Sequence, residues 1–317
     1  MGTPPAGTPA TTVVVVTWQG AHLLPACLES LRHQTEPHAV LVVDNGSTDG
    51  TQQLLAERFP EVTVLQTGAN LGFAGGAQAG LDAATTPYVA LLNNDAVADP
   101  GWLAALVRSL DAHPEAAAVT SRMLLQDTDP PLLNNTGVVL LDTDYGADRD
   151  LRADAATRLE PDSVFGFSGG AALLRLEAVR AVGGFPRRFF LYYEDTDLSW
   201  RLRLAGWEIR YEPRAVVHHA HSATVDQTSD RFAFFNERNR LLMLTRCAPA
   251  GRVLRALLRF LLTTASLTVS RWRGKPVPDQ PVFDPALRAR VLASYARALP
   301  WALRTRRTIR RSAVASS

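Results

Sequence analysis

Asp95 closes the apolar string LLNNDA, and a carboxylate so placed can reach a magnesium or manganese ion that bridges phosphate oxygens. The same acid also suits a turn or a helix N-cap, and the residue alone does not choose between them. Glu194, Asp195 and Asp197 form a second acidic group just ahead of a helical segment. Crowded carboxylates raise one another's pKa, which suits one of them to abstract a proton; acids in a first helical turn also complement the helix dipole. His218, His219 and His221 follow two short apolar runs, where a neutral imidazole can complete a metal site with Asp95 or simply face solvent. Asp44 closes another apolar run in VVDNGSTDG. There it can accept hydrogen bonds from a nucleobase or ribose, or serve the tight turn that Asn45 and Gly46 favour. NLGFAGG, from Asn70 to Gly76, permits close backbone approach to a ligand at a helix start, but it lacks the GxGxxG spacing of a dinucleotide site. Gly169 and Gly170 suit either a ligand-facing loop or a packed bend.

These residues need elements to hold them. Thr12 to Thr17, TVVVVT, is a continuous β-branched run of the kind buried on both faces of a parallel sheet. Leu23, Leu24, Cys27, Leu28 and Leu31 then recur at helical spacing, and Val40 to Val43 is a second strand that stops at Asp44. The rhythm repeats through a third strand at Val62 to Leu65 and a fourth at Tyr88 to Leu92. Such alternation predicts a doubly wound α/β sheet, which binds ligands outside the carboxyl ends of its strands, where Asp44 and Asp95 both fall. The polar stretch Gln126 to Asp162 reads as loops with one strand at Val138 to Leu141. A helix over Thr196 to Ala205 follows, with Trp200 and Trp207 at its core or rim, then short strands at Ile209 to Tyr211 and Ala215 to Val217. Phe232 to Arg246 reads as an amphipathic helix and Val253 to Trp272 as another.

The composition is that of a globular protein, 46% hydrophobic and 20% charged, which excludes a disordered or fibrous chain. Cys27 and Cys247, the only cysteines, lie far apart without ligand spacing, so neither disulfides nor a zinc site is expected and a reducing cytoplasm fits. Met1 to Thr11 lacks the basic start and apolar core of a signal peptide and reads as a disordered leader. The net charge of +2 conceals an asymmetry: from Arg238 onward there are 17 basic residues and two acids, against 16 and 29 before it. A basic C-terminal part seeks anions, phospholipid or a lipid diphosphate, and no nucleic-acid motif accompanies it. The apolar run Phe260 to Val269 falls short of the roughly 20 residues a bilayer span needs. The helix around it reads as an interfacial one with snorkelling arginines, or as a packed subdomain or dimer contact.

The order of the motifs resembles the inverting family-two glycosyltransferases with the A-type (GT-A) nucleotide-sugar fold, particularly their bacterial rhamnosyltransferase-like branch. The resemblance spans Thr12 to Arg246. It runs through VVVVTWQ, VVDNGSTDGT, NLGFAGG, LLNNDA, FSGGAALLR at Phe167 to Arg175, GGF, YYEDTDLSWRLRLAGW at Tyr192 to Trp207, and HHAHSAT at His218 to Thr224. It implies a Rossmann-like α/β fold with a mixed central sheet and a C-terminal helical appendage. The implied segments are a leader over 1–11, a nucleotide-sugar-binding half over 12–125, an acceptor and catalytic half over 126–235, helices over 236–303 and a basic disordered tail over 304–317.

By the same resemblance Thr17 and Asp44 line the nucleoside pocket beside Asn70 and Gly72, and Asn93, Asn94 and Asp95 complete the nucleotide-sugar site. Asp95 holds the metal, with Asn93 in the first acidic position of the family's Asp-x-Asp motif. An amide there supplies no charge, so metal affinity is expected to be lower. Asp195 matches the catalytic base, with Glu194 beside it; His219 matches a metal-contacting histidine, with His221 as second choice. Gly169 and Gly170 match the loop at the acceptor face. The implied reaction moves a sugar, first of all rhamnose, from a UDP- or dTDP-linked donor to a hydroxyl of a lipid-linked or polymeric envelope glycan. The implied setting is the cytoplasm, at the inner face of the membrane, with polyprenyl-diphosphate acceptors as partners. A sugar-phosphate nucleotidyltransferase would need a basic Gly-rich loop after the first strand, which VTWQGAHLL lacks; a non-catalytic nucleotide-sugar-binding module has Asn93 as its one hint.

Overall fold

The computed structural model of the protein describes residues 9–220 and 228–313. Its first part alternates as expected through β1 (Thr11–Thr17), α1 (Leu24–Arg32), β2 (His38–Asp44), α2 (Thr51–Arg58), β3 (Thr63–Gln66), α3 (Gly72–Ala83) and β4 (Tyr88–Leu92). There follow β5 (Ala96–Ala98), α4 (Trp102–Ala112), β6 (Ala116–Leu125), β7 (Leu133–Asn135), β8 (Val138–Leu140), β9 (Gly146–Asp148), β10 (Asp162–Ser163) and β11 (Ala171–Arg175). The remainder is α5 (Leu176–Ala181), α6 (Glu194–Leu204), β12 (Glu208–His219), α7 (Asp230–Cys247), α8 (Ala250–Trp272) and α9 (Pro285–Ser312).

The main sheet runs β10–β12–β6–β11–β4–β1–β2–β3. β1 pairs in parallel with β2 and β4, whereas β11 lies antiparallel between β4 and β6, so the sheet is mixed. Alternate residues of β1 serve opposite faces: Val13 and Val15 pack with α1 and α4, and Val14 with α3. Burial on both faces is why the strand is uniformly β-branched. Two glycines let α3 approach β1, since a Cβ on Gly76 or Gly80 would come within 2.5 Å of the Cγ1 of Val16 or Val14.

Several expectations change. The polar stretch after Gln126 holds a β8–β9 hairpin and two further short strands, and the two strands expected after Trp207 are one, β12, with a register break between Glu212 and Val216. The boundary expected at 235/236 falls inside α7, which is no amphipathic surface helix: Leu241, Leu242, Met243 and Leu244 are buried in succession. Four consecutive buried residues face every side of a helix, so this part of α7 lies in a core, which it shares with Phe189, Tyr193, α8 and α9. The basic tail expected from 304 is helical through Ser312. Its Ala302 and Ile309 are buried two turns apart, and Arg306 Nη1 donates to Thr245 O at 2.7 Å, contacts that a count of charge overlooks. Of the expected leader, residues 1–8 lie outside the described residues, while Thr11 opens β1. α8, at 23 residues, is long and apolar enough to cross a membrane by length and composition, where the shorter run read from sequence was not.

Candidate active site

The carboxyl ends of β1 and β4 form one wall of a cleft of ≈ 500 Å³ that holds nearly every residue singled out above. Thr17, Asn70, Gly72, Asn93, Asn94, Asp95, Gly169, Gly170, Glu194, Asp195 and His219 all line it. Asp44 is the exception. It is fully buried and turned into its own loop, where it accepts from Ser47 N at 3.0 Å and Gln52 Nε2 at 3.1 Å, while Asn45 faces the cleft instead. The side chain thus does the turn-capping work that short acids do after a strand. His221 lies outside the described residues.

At the end of β4, Asn94 Nδ2 donates to Thr17 Oγ1 at 3.0 Å, which ties the two strand ends together. Asp95 Oδ1 is 3.1 Å from His219 Nε2 at the end of β12, and Asn93 Nδ2 is 3.3 Å from the same nitrogen. His219 Nδ1 lies 2.9 Å from Asn134 Oδ1, so both ring nitrogens face an oxygen. His219 Nε2 and the Asp95 carboxylate are the two groups that a cation would bind here, taking the place of the Asn93 Nδ2 contact on the ring. Neighbouring donors about 3 Å apart suit an octahedral ion with ligands at about 2.0–2.1 Å. Among the described residues no group of three His, Cys, Asp or Glu gathers, so a metal here would draw its other ligands from phosphate and water. The site therefore fits a divalent ion of modest affinity.

Asp195 begins α6 and faces this pair. Its Oδ2 accepts from Gly169 N at 3.0 Å and its Oδ1 from Thr196 N at 2.6 Å. Burial pushes the carboxyl above its ordinary value, against the pull of those N–H donors. Glu194 is buried with Oε2 lacking a hydrogen-bond partner, and burial followed by the Asp195 charge raises it well above the carboxylate range. Gly169 and Gly170 bridge the two sides, because Gly170 O also accepts from Asn93 N at 2.8 Å. A Cβ on Gly169 would meet the Phe73 ring at 2.9 Å, so the bend needs glycine for packing as well as for access.

Gly72 answers to the protein rather than to a ligand. It has φ +68°, and a Cβ would come within 2.1 Å of Phe190 O, which accepts from Ala74 N at 3.1 Å. Phe190, Tyr192 and Tyr193 themselves have φ of 67°, 67° and 69°, costly for side chains of this size, immediately before the two acids. Asn239 of α7 holds this segment: its Nδ2 lies 3.0, 2.8 and 2.8 Å from the carbonyls of Phe189, Leu191 and Tyr192. Replacement by Ala is expected to lower kcat by about a hundredfold through misplacement of Asp195, with nucleotide affinity held within about threefold. Steady-state kinetics beside nucleotide titration check this, and equal losses in both would contradict it.

Three cleft residues escaped the sequence reading. Asp148 on β9, hydrogen-bonded by Asn135 Nδ2, is pushed up to about 6 by burial and by the charge of Asp195. The hairpin pattern, apolar Val138–Leu140 then a polar turn and Gly146, was its only signal. Arg231, the only Arg or Lys among the described lining residues, lies 5.4 Å from the Phe190 ring centroid, and Asn236 follows it along α7. They sit in a helix that reads as scaffold.

Residues 12–183 match glycosyl transferase family 2. The chain is 37% identical over 243 residues to the N-acetylglucosaminyl-diphospho-decaprenol L-rhamnosyltransferase of Mycobacterium tuberculosis, a match covering 68% of this chain and 78% of the relative. It is 25% identical over 228 residues to the O-antigen chain rhamnosyltransferase WbaN of Salmonella anatum, covering 71% and 70% of the two. The solved mannosyltransferase PcManGT from Pyrobaculum calidifontis, in complex with GDP-Man and Mn2+, aligns with a TM-score of 0.55 at 22% identity, over 96% of this chain and 75% of that one. At that identity the likeness speaks for the fold.

Proposed function

The chain belongs to glycosyl transferase family 2, is a glycosyltransferase of GT-A fold, and from that premise we propose an inverting, metal-assisted transfer with Asp195 as the base. The proposed donor is a UDP- or dTDP-sugar, dTDP-rhamnose first, and the acceptor a hydroxyl on a polyprenyl-diphosphate-linked or polymeric glycan at the inner face of the cell membrane. The named activities of the relatives support rhamnose and the lipid-linked acceptor.

The observation that carries the reading is the Gly169–Gly170 bridge, which hydrogen-bonds Asp195 on one side and Asn93 on the other. A proton acceptor and a cation site are thereby held at fixed separation across one cleft. Thr17, Asn45 and Asn70 would hold the nucleoside, and Asn93, Asn94, Asp95 and His219 the diphosphate end. Asp195 takes the acceptor hydroxyl's proton, the oxygen attacks the anomeric carbon, the bond to the diphosphate breaks, and the configuration inverts. A magnesium or manganese ion held by Asp95 and His219 supplies neutralisation of the leaving diphosphate's charge when bound.

A panel of UDP-, dTDP- and GDP-sugars, with manganese, magnesium or chelator, tests the donor side by thermal stabilisation and slow hydrolysis. The largest metal-dependent response is expected from dTDP-rhamnose. Stabilisation by no nucleotide-sugar under any metal condition would contradict the proposal.

A further inference from the structure

We infer that the outer face of α8, with the tip of the β8–β9 hairpin, is a docking surface for an anionic lipid bilayer. The inference deepens the lipid-linked acceptor reading but stands on separate observations.

Leu254, Leu258, Leu261, Leu262, Val269 and Trp272 are all exposed, up to 69% for Leu262 and 84% for Trp272. Leu258, Leu261 and Leu262 follow Leu254 within about two turns, and Val269, seven residues after Leu262, and Trp272 return to the same side of the helix. Single exposed apolar residues are ordinary on a soluble surface, whereas a contiguous stripe several turns long marks an interaction. The opposite side of α8 is fastened to α9. Arg288 stacks 3.8 Å from the centroid of the Phe260 ring and donates to Thr264 Oγ1 at 2.8 Å and Phe260 O at 3.0 Å, and Arg271 pairs with Asp284 at 2.5 Å. A helix tied down along one side offers the other to an interface and lies flat on it; to cross the bilayer α8 would have to carry α9, with Arg288 and Arg290, into hydrocarbon.

Charge selects the occupant. α8 contains no Asp or Glu, and exposed Arg255 and Arg259 flank the stripe, with Arg273 and Lys275 just beyond its end. Arginines beside an apolar stripe can lay their stems on the acyl boundary and their guanidiniums among lipid phosphates. A second copy is the poorer occupant, because a two-fold contact sets a surface against itself and would bring these cations together.

The stripe also leads to the cleft. Arg252, at the start of α8, pairs with Asp144 at the hairpin tip, and its Nη2 lies 3.4 Å from Leu141 O. Leu141 is exposed there, and the hairpin's second strand, with Ala147 and Asp148, lines the cleft. A bilayer in contact with Leu141 and α8 therefore meets the molecule on the acceptor side of the active site, where a polyprenyl-diphosphate chain would arrive.

The test sediments the full chain with vesicles of phosphatidylcholine alone or mixed with phosphatidylglycerol. Binding to the mixed vesicles is expected to exceed that to phosphatidylcholine by about tenfold or more at low salt and to fall as salt rises. The L258D/L262D and R255E/R259E variants, checked for folding by thermal unfolding, are each expected to lose about tenfold or more. Wild-type chain that stays in solution with mixed vesicles overturns the inference, as do variants that sediment like wild type. If L258D/L262D instead turns a dimer into a monomer without lipid, and vesicles recruit neither form, the face is a contact between copies and the inference fails. Partition is read without turnover, so loss of the transferase reading with vesicle binding intact, or the reverse, tells the two apart.

Discussion

Asp195→Asn is expected to lower the transfer rate by about 10²–10⁴-fold while nucleotide-sugar binding persists, because it removes the base and leaves the strand ends that hold the donor. Those ends are tied to each other by the Asn94 to Thr17 hydrogen bond, in which Asp195 takes no part. The pH profile sharpens the expectation. Burial raises the Asp195 carboxyl above its ordinary value, and a base works only when deprotonated. The wild-type rate should therefore fall with decreasing pH through an inflection displaced upward from an ordinary aspartate, and the variant should lack that limb. Measurement of kcat/KM against pH for both proteins decides it: an unchanged profile in Asp195→Asn would assign the base elsewhere, with Asp148 the nearest candidate in the cleft.

Asp197→Ala is expected to strike stability instead, by about 3–5 kcal/mol, although it lies two residues away in the same acidic string. Asp197 is 0% exposed, with Oδ2 2.8 Å from Arg201 Nε and Oδ1 2.5 Å from Arg246 Nη1. Arg201 also donates to the carbonyls of Val182 and Gly184 at 2.6 Å, so one carboxylate balances two buried guanidiniums that tie α6, α7 and the turn before Phe185 together. Burial lowers the Arg201 pKa, which shows how strained that charge already is by its surroundings. Removal of the carboxylate leaves both cations buried without their counter-ion. Urea denaturation would register the loss as a lower midpoint at unchanged slope, and activity should track the folded fraction. A change below about 1 kcal/mol would mean that the pair is far better solvated than its burial implies.

These two substitutions mark where sequence stops being informative. The alternation of β-branched runs with helical spacing was enough to bring Asp44 and Asp95 to one sheet edge, because the period is a local property; Thr17 was added there only by the resemblance. The motif order was enough to bring Asp195 and His219 to the same cleft. The division of labour among Glu194, Asp195 and Asp197 was not legible. Three acids in one helical turn look alike until tertiary packing gives one a buried oxygen without a hydrogen-bond partner, one two N–H donors and one a pair of arginines. Asp148 was hidden for a related reason: short strands in an acid-rich stretch carry little periodicity, and only the hairpin turns that carboxylate into the cleft. Asn239 was obscured by the polar run around it, Asn236 to Arg240, which reads as a solvated helix face until the fold buries Asn239 against the segment before α6. Asp44 shows the opposite case, a residue at the right edge whose side chain its own turn claims.

A single displacement by one base leaves a stereochemical record. When the chain hydrolyses its preferred nucleotide-sugar under manganese, with water in the acceptor's place, proton NMR can identify the anomer released before mutarotation. The mechanism built on Asp195 predicts the anomer opposite to that of the donor, and release of the same anomer would contradict it.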